Sequence, residues 1–154
     1  MMLLAFADGE SFVTGAAGYD YDSLSDRDTS ARLILNVEIE GFLTSAIVDT
    51  GAPYLICSPQ LAKQLNLNAS DALLSKRILI RGQRVSGSLH RINLQFIATE
   101  GSGLLLEITA FVPDPEIEGS GMIFPSFLGL VGCLEWVRFA VDPSSETFYF
   151  GPRP

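Results

Sequence analysis

The chain contains one histidine, two cysteines and one tryptophan in 154 residues, and only 10 basic residues against 18 acidic ones. Each scarcity excludes something. With His90 alone, one chain cannot build a histidine-rich metal site, so neither a metal nor a cofactor is expected. A serine or cysteine nucleophile would have to use His90 as its base, and nothing resembling a nucleophile elbow is present. His90 reads instead as a strand residue with a satisfied hydrogen bond. Cys57 and Cys133 match neither a disulfide scaffold nor the paired spacing of a zinc site, and are expected as buried free thiols. The shortage of basic residues leaves a net charge of -8. Such a field repels phosphate backbones and anionic headgroups, which argues against nucleic acid and membrane as partners. No glycine-rich loop opens a helix to cradle phosphate. Long apolar runs are missing too. Residues 1–7 are apolar but lack a basic flank, stop at Asp8 and fall far short of a membrane span, so a soluble, cytoplasmic protein is expected.

What is present is apolar composition, 47% of residues against 18% charged. That balance belongs to an ordered globular chain, and the length suits one domain with one core. The first shift along the sequence lies at the front. Residues 8 to 30 hold Asp8, Glu10, Asp20, Asp22, Asp26 and Asp28 against Arg27 alone. We expect residues 1–30 to be an acidic flexible N-terminal segment and residues 31–154 to be the folded domain.

From Leu33 the pattern has period two. Leu33, Leu35, Val37 and Ile39 alternate with Ile34, Asn36, Glu38 and Glu40, which predicts a strand with one buried face. Glu40-Gly41 supplies a tight turn, and residues 42–48 return as a second strand that becomes apolar on both faces at Ala46-Ile47-Val48. Ser58 can cap a short helix that has Pro59 at its first position and Asn66 near its end. Residues 76–81 and 84–98 read as a long hairpin turning at Gly82-Gln83, followed by a turn at residues 100–103 and a strand over 104–112. Pro113-Asp114-Pro115 ends that strand, and residues 116–121 read as a loop. Further strands fall near residues 139–141 and 148–150, after a helical turn through Trp136. So many short strands separated by turns predict an all-β barrel or sandwich with one or two short helices.

The chemistry concentrates at Asp49-Thr50-Gly51. As a bare tripeptide it could be an ordinary turn in which Asp49 bonds its own backbone. Its position argues for more, because this carboxylate stands at the exit of a strand apolar on both faces, where burying a charge without partners is expensive.

The run Ala46-Ile47-Val48-Asp49-Thr50-Gly51-Ala52 resembles the active-site segment of retropepsin-like aspartic peptidases, the single-domain relatives of pepsin. Other segments follow in the family's order. The hairpin at Glu40-Gly41 matches the one feeding the active-site strand, and residues 78–96 resemble the flap, with Gly82 and Gln83 near its tip. The family's motif of two apolar residues and a glycine is matched by Phe127-Leu128-Gly129 or by Leu130-Val131-Gly132. The resemblance implies the acid-protease β-barrel, with Asp49 as the catalytic carboxylate and Thr50, Gly51 and Ala52 supporting its loop. It departs from the family in three places. Gly132 is followed by Cys133-Leu134 where many members have Arg-Asp or Arg-Asn, Pro53-Tyr54 stands where retroviral enzymes often have acidic residues, and the flap lacks their dense glycines.

The chemistry implied needs two aspartates, and this chain offers one Asp-Thr-Gly. A symmetric homodimer with the two-fold axis beside Asp49 supplies the second. The implied function is an aspartic endopeptidase acting on an extended peptide or protein substrate. The other reading is a noncatalytic retropepsin-like module that dimerises or binds peptide, with Asp49 an internal hydrogen-bonding group.

Overall fold

A computed structural model describes residues 3–22 and 32–154. The period-two stretch forms strand β3 (Arg32–Ile39), preceded by β1 (Gly15–Gly18) and β2 (Asp20–Asp22). Leu35, Val37 and Ile39 are buried, as the alternation predicts, and Ile34 is buried on the opposite face. β3 turns at Glu40-Gly41, both at positive φ (49° and 82°), into β4 (Phe42–Val48). Two residues in the left-handed region give a turn whose twist matches the strands it joins.

Beyond β4 come β5 (Leu55–Ile56) and helix α1 (Pro59–Leu65). The helix is bounded as its sequence dictates. Ser58 Oγ accepts the Leu61 N–H at 3.0 Å, Pro59 takes the first turn, and Asn66 closes it in the left-handed conformation. Strands β6 (Leu74–Ile80) and β7 (Gln83–Phe96) make the long hairpin, followed by β8 (Glu100–Gly101), β9 (Leu104–Pro113), β10 (Ser126–Leu128), β11 (Val137–Asp142) and β12 (Thr147–Pro152). Short 3-10 turns cover Ala69–Asp71, Pro115–Ser120 and Leu134–Trp136.

The large sheet runs β2-β3-β4-β10-β5-β9-β7-β6, and β3 also pairs with β7 through Val37↔Phe96 to Ile39↔Leu94. That pairing closes β3, β4, β10, β5, β9 and β7 into a barrel, which removes the open edges an isolated sheet would present. A second sheet, β11-β12-β1-β8, packs on it. The stacked rings of Phe96 and Phe150, with centroids 5.3 Å apart, join the two sheets, and Phe148 stacks on Phe96 at 6.0 Å. The expected all-β architecture with few helices is what forms.

Four local expectations are corrected. Within the segment expected to be acidic and flexible, β1 and the residues beside it pack into the fold. β1 sits between β12 and β8, with Val13, Ala16, Ala17 and Tyr19 buried. An acid-free stretch, residues 11–19, gives this segment a face to bury, and Arg138 lies over the rings of Phe6 and Phe12 at 5.4 and 5.6 Å. Residues 23–30 of the expected tail, and the boundary at 30/31, lie outside the described residues. The hairpin turn is Arg81-Gly82, at φ 52° and 80°, and Gln83 already pairs with Ile80. Glu100-Gly101, expected as turn, pairs with Ala16 and Gly15, and the loop at 116–121 winds into the 3-10 turn.

Candidate active site

Asp49 follows directly on the last residue of β4. β10 runs parallel to β4, with Leu128 opposite Val48, and its final carbonyl accepts the Asp49 N–H at 3.0 Å. The carboxylate then folds over its own loop. Oδ1 accepts the Gly51 N–H at 2.9 Å, and the Asp49 carbonyl accepts the Ala52 N–H at 3.1 Å. Asp49 is half-buried, while Thr50 and Gly51 are exposed. Among the described residues no hydrogen bond or cation reaches Oδ2. A Cβ at Gly51 would lie 3.2 Å from Asp49 Oδ1, so a side chain there would press on the carboxylate.

A second loop threads against the first. Gly129 N–H donates to the Tyr54 carbonyl at 2.8 Å, Leu130 N–H to the Ala52 carbonyl at 2.8 Å, and Tyr54 N–H to the Val131 carbonyl at 2.9 Å. A Cβ on Gly129 would collide with the carbonyl oxygens of Tyr54 and Ala52. Phe127-Leu128-Gly129 is therefore the apolar pair with glycine that lies beside the aspartate loop. Leu130-Val131-Gly132 is the continuation, where Gly132 N–H donates to Glu135 Oε1 at 2.7 Å. Sequence alone could not choose between two copies of one pattern three residues apart.

The β6–β7 hairpin packs beside the first of these loops. Ile78, Ile80 and Val85 pack in one cluster with Ile34, Ile47, Ile56 and Phe127, and Ala52 and Tyr54 border it. Asp49, Thr50, Gly51 and Ala52 are thus gathered in one loop. Gly82 and Gln83 are exposed at the hairpin's end, and no hydrogen bond among the described residues joins them to Asp49. Two residues of this neighbourhood went unread in the sequence as site residues. Tyr54 holds φ 56°, and its hydroxyl accepts from Lys76 Nζ at 2.8 Å with the ammonium 5.2 Å from the ring centroid. The one signal available was Pro53-Tyr54, which departs from the retroviral pattern.

A family model described as aspartyl protease matches residues 35–104, which span β3, the Asp49 loop and the hairpin. A crystal structure of a retropepsin-like aspartic protease from Rickettsia conorii matches with a TM-score of 0.56, covering 90% of this chain and 94% of that one at 17% identity. The fold is retropepsin-like. A comparison with curated protein sequences returns no match. The retropepsin-like fold accounts for the interlaced loops, since a barrel closed through β4, β10 and β5 brings residues 49–54 and 128–131 to one end. No helix among the described residues is long and apolar enough to cross a membrane.

Proposed function

We propose that this protein is an aspartic endopeptidase that works as a symmetric homodimer, with one Asp49 carboxylate from each subunit. The observation that carries the reading is the state of Asp49. It is half-buried, its backbone is anchored to Leu128, one oxygen is oriented by Gly51 and the other is unengaged among the described residues. A loop this tightly tied, ending in exposed Thr50 and Gly51, suits apposition against a second copy. Thr50 would then bond across the axis.

In such a dimer the two carboxylates lie a hydrogen bond apart and share one proton, which is the established chemistry of aspartic proteases. The ionised member takes a proton from a water molecule as that oxygen attacks the scissile carbonyl carbon. The protonated member gives its proton to the carbonyl oxygen. The resulting gem-diol collapses, the C–N bond breaks, and the amine leaves with a proton returned by the pair. The two groups titrate as a unit. The β6–β7 hairpin would act as the flap, with Gly82 at its turn, closing over an extended peptide and excluding water.

Asp49→Asn tests this. The variant should keep its circular dichroism spectrum and its sedimentation as a dimer while losing cleavage of a peptide pool at mildly acidic pH. Cleavage that survives the substitution rules the mechanism out. A wild-type dimer that cuts nothing leaves the noncatalytic module as the reading.

A further inference from the structure

Charge is distributed very unevenly along the hairpin. Five of the chain's ten basic residues, Lys76, Arg77, Arg81, Arg84 and Arg91, fall between Asp71 and Glu100, a span without a single Asp or Glu in a chain of net charge -8. Arg91 is engaged by Glu107 at 3.9 Å. The other four decorate β6, its turn and the start of β7. Strand register sorts them further. Lys76 lies opposite Gly87, Ile78 opposite Val85 and Ile80 opposite Gln83. Period two therefore puts Lys76 on the face that carries Ile78 and Ile80, the face turned to Ala52 and Tyr54, whereas Arg77 and Arg84 belong to the other face.

Lys76 is also held in place. Tyr54 accepts one of its three ammonium protons at 2.8 Å, which sets the ammonium at the hydroxyl end of the ring, 5.2 Å from its centroid. That leaves two donors for a ligand. Tyr54 is itself fixed, since its N–H and C=O are both bonded to the 128–131 loop and its backbone is at φ 56°. A side-chain-bearing residue in that region is held there by its surroundings. The result is a pre-oriented ammonium at the edge of the aspartate loop, next to the apolar underside of the hairpin.

We propose that Lys76, held by Tyr54, is a specificity determinant that selects an acidic side chain in an extended peptide substrate. The inference rests on the endopeptidase reading and adds the substrate class to it. A carboxylate on the peptide would make a charge-assisted hydrogen bond to the ammonium, and apolar neighbours would pack on Ile78 and Ile80. Two-fold symmetry would place the same selector on each side of the cut bond.

The test is the distribution of cut sites in a pool of random-sequence dodecapeptides, read by mass spectrometry. Wild-type protein should cut at sites enriched in Asp or Glu at one position on each side, by about two- to fivefold in kcat/KM, the scale of a modest ion pair. Lys76→Glu should invert that enrichment toward Lys or Arg, and added salt should flatten it. Cut sites without acidic enrichment, or an enrichment that Lys76→Glu leaves unchanged, overturn the proposal. A second arm separates its failure from that of the protease reading. Fluorescein-labelled dodecapeptides carrying Glu or Lys are titrated against Asp49→Asn protein, with and without Lys76→Glu. Tighter binding of the Glu peptide that the Lys76 change abolishes supports the selector even where the wild type cuts nothing. Equal binding of both peptides, or binding of neither, overturns it.

Discussion

Gly129 and Tyr54 are joined backbone to backbone, the N–H of one donating to the carbonyl of the other at 2.8 Å, with no room between them for a methyl group. Gly129→Ala should therefore force the two loops apart. We expect a loss of about 1–3 kcal/mol in urea unfolding, the usual cost of overpacking, with faster amide exchange at Asp49, whose N–H is held by the adjoining Leu128. An unchanged midpoint would show that the loops yield freely.

Gly51→Ala probes the carboxylate rather than the core. The added Cβ would sit 3.2 Å from Asp49 Oδ1 at an exposed position. Stability should stay within ~0.5 kcal/mol of wild type. Cleavage should fall by about tenfold or more, because small displacements of a reacting group carry large penalties. Parallel melts and peptide assays separate the two effects.

His90 gives the fold a pH dependence. It is 3% exposed, with Nε2 3.0 Å from Ser88 Oγ, and burial lowers its pKa below the usual value, with Asp71 opposing in part. The unfolded chain binds a proton on His90 at a higher pH than the folded one. Stability from the neutral ring is therefore complete above about pH 6.5 and declines as the pH falls through the folded value. Urea midpoints measured from pH 7.5 down to 5 should drop for wild type, and that part of the drop should vanish in His90→Gln.

Cys57 and Cys133 should resist chemistry. Both are fully buried and free, and burial pushes each thiol up to about 12. Iodoacetamide at pH 8 should label neither in the native protein and both in urea, counted by intact mass. Labelling of the native protein at the unfolded rate would mean that the core opens readily.

The sequence was most readable where one residue type has one physical use. Ser58, Pro59 and Asn66 bracket α1, and Glu40-Gly41 makes the first turn. Asp49-Thr50-Gly51 stood out because a carboxylate leaves a strand apolar on both faces. Reading failed where a local signal pointed the wrong way. Arg81 takes the first of the hairpin turn's two left-handed positions, a place its type does not advertise, so the sequence points to a turn one residue too late. Acidic neighbours hid Val13, Ala16, Ala17 and Tyr19, whose burial depends on β12 and β8 far along the chain. Tyr54 and Lys76 meet across 22 positions, and nothing local to either announces the other.

The position of β1 constrains how the molecule is made. During synthesis Gly15–Gly18 emerges well before the strand it pairs with most fully, Thr147–Pro152. Pairing over such a span lags behind local hairpins such as β3–β4. The nascent chain can assemble much of its barrel while β1 waits, and the second sheet closes only when the two ends of the described fold finally meet.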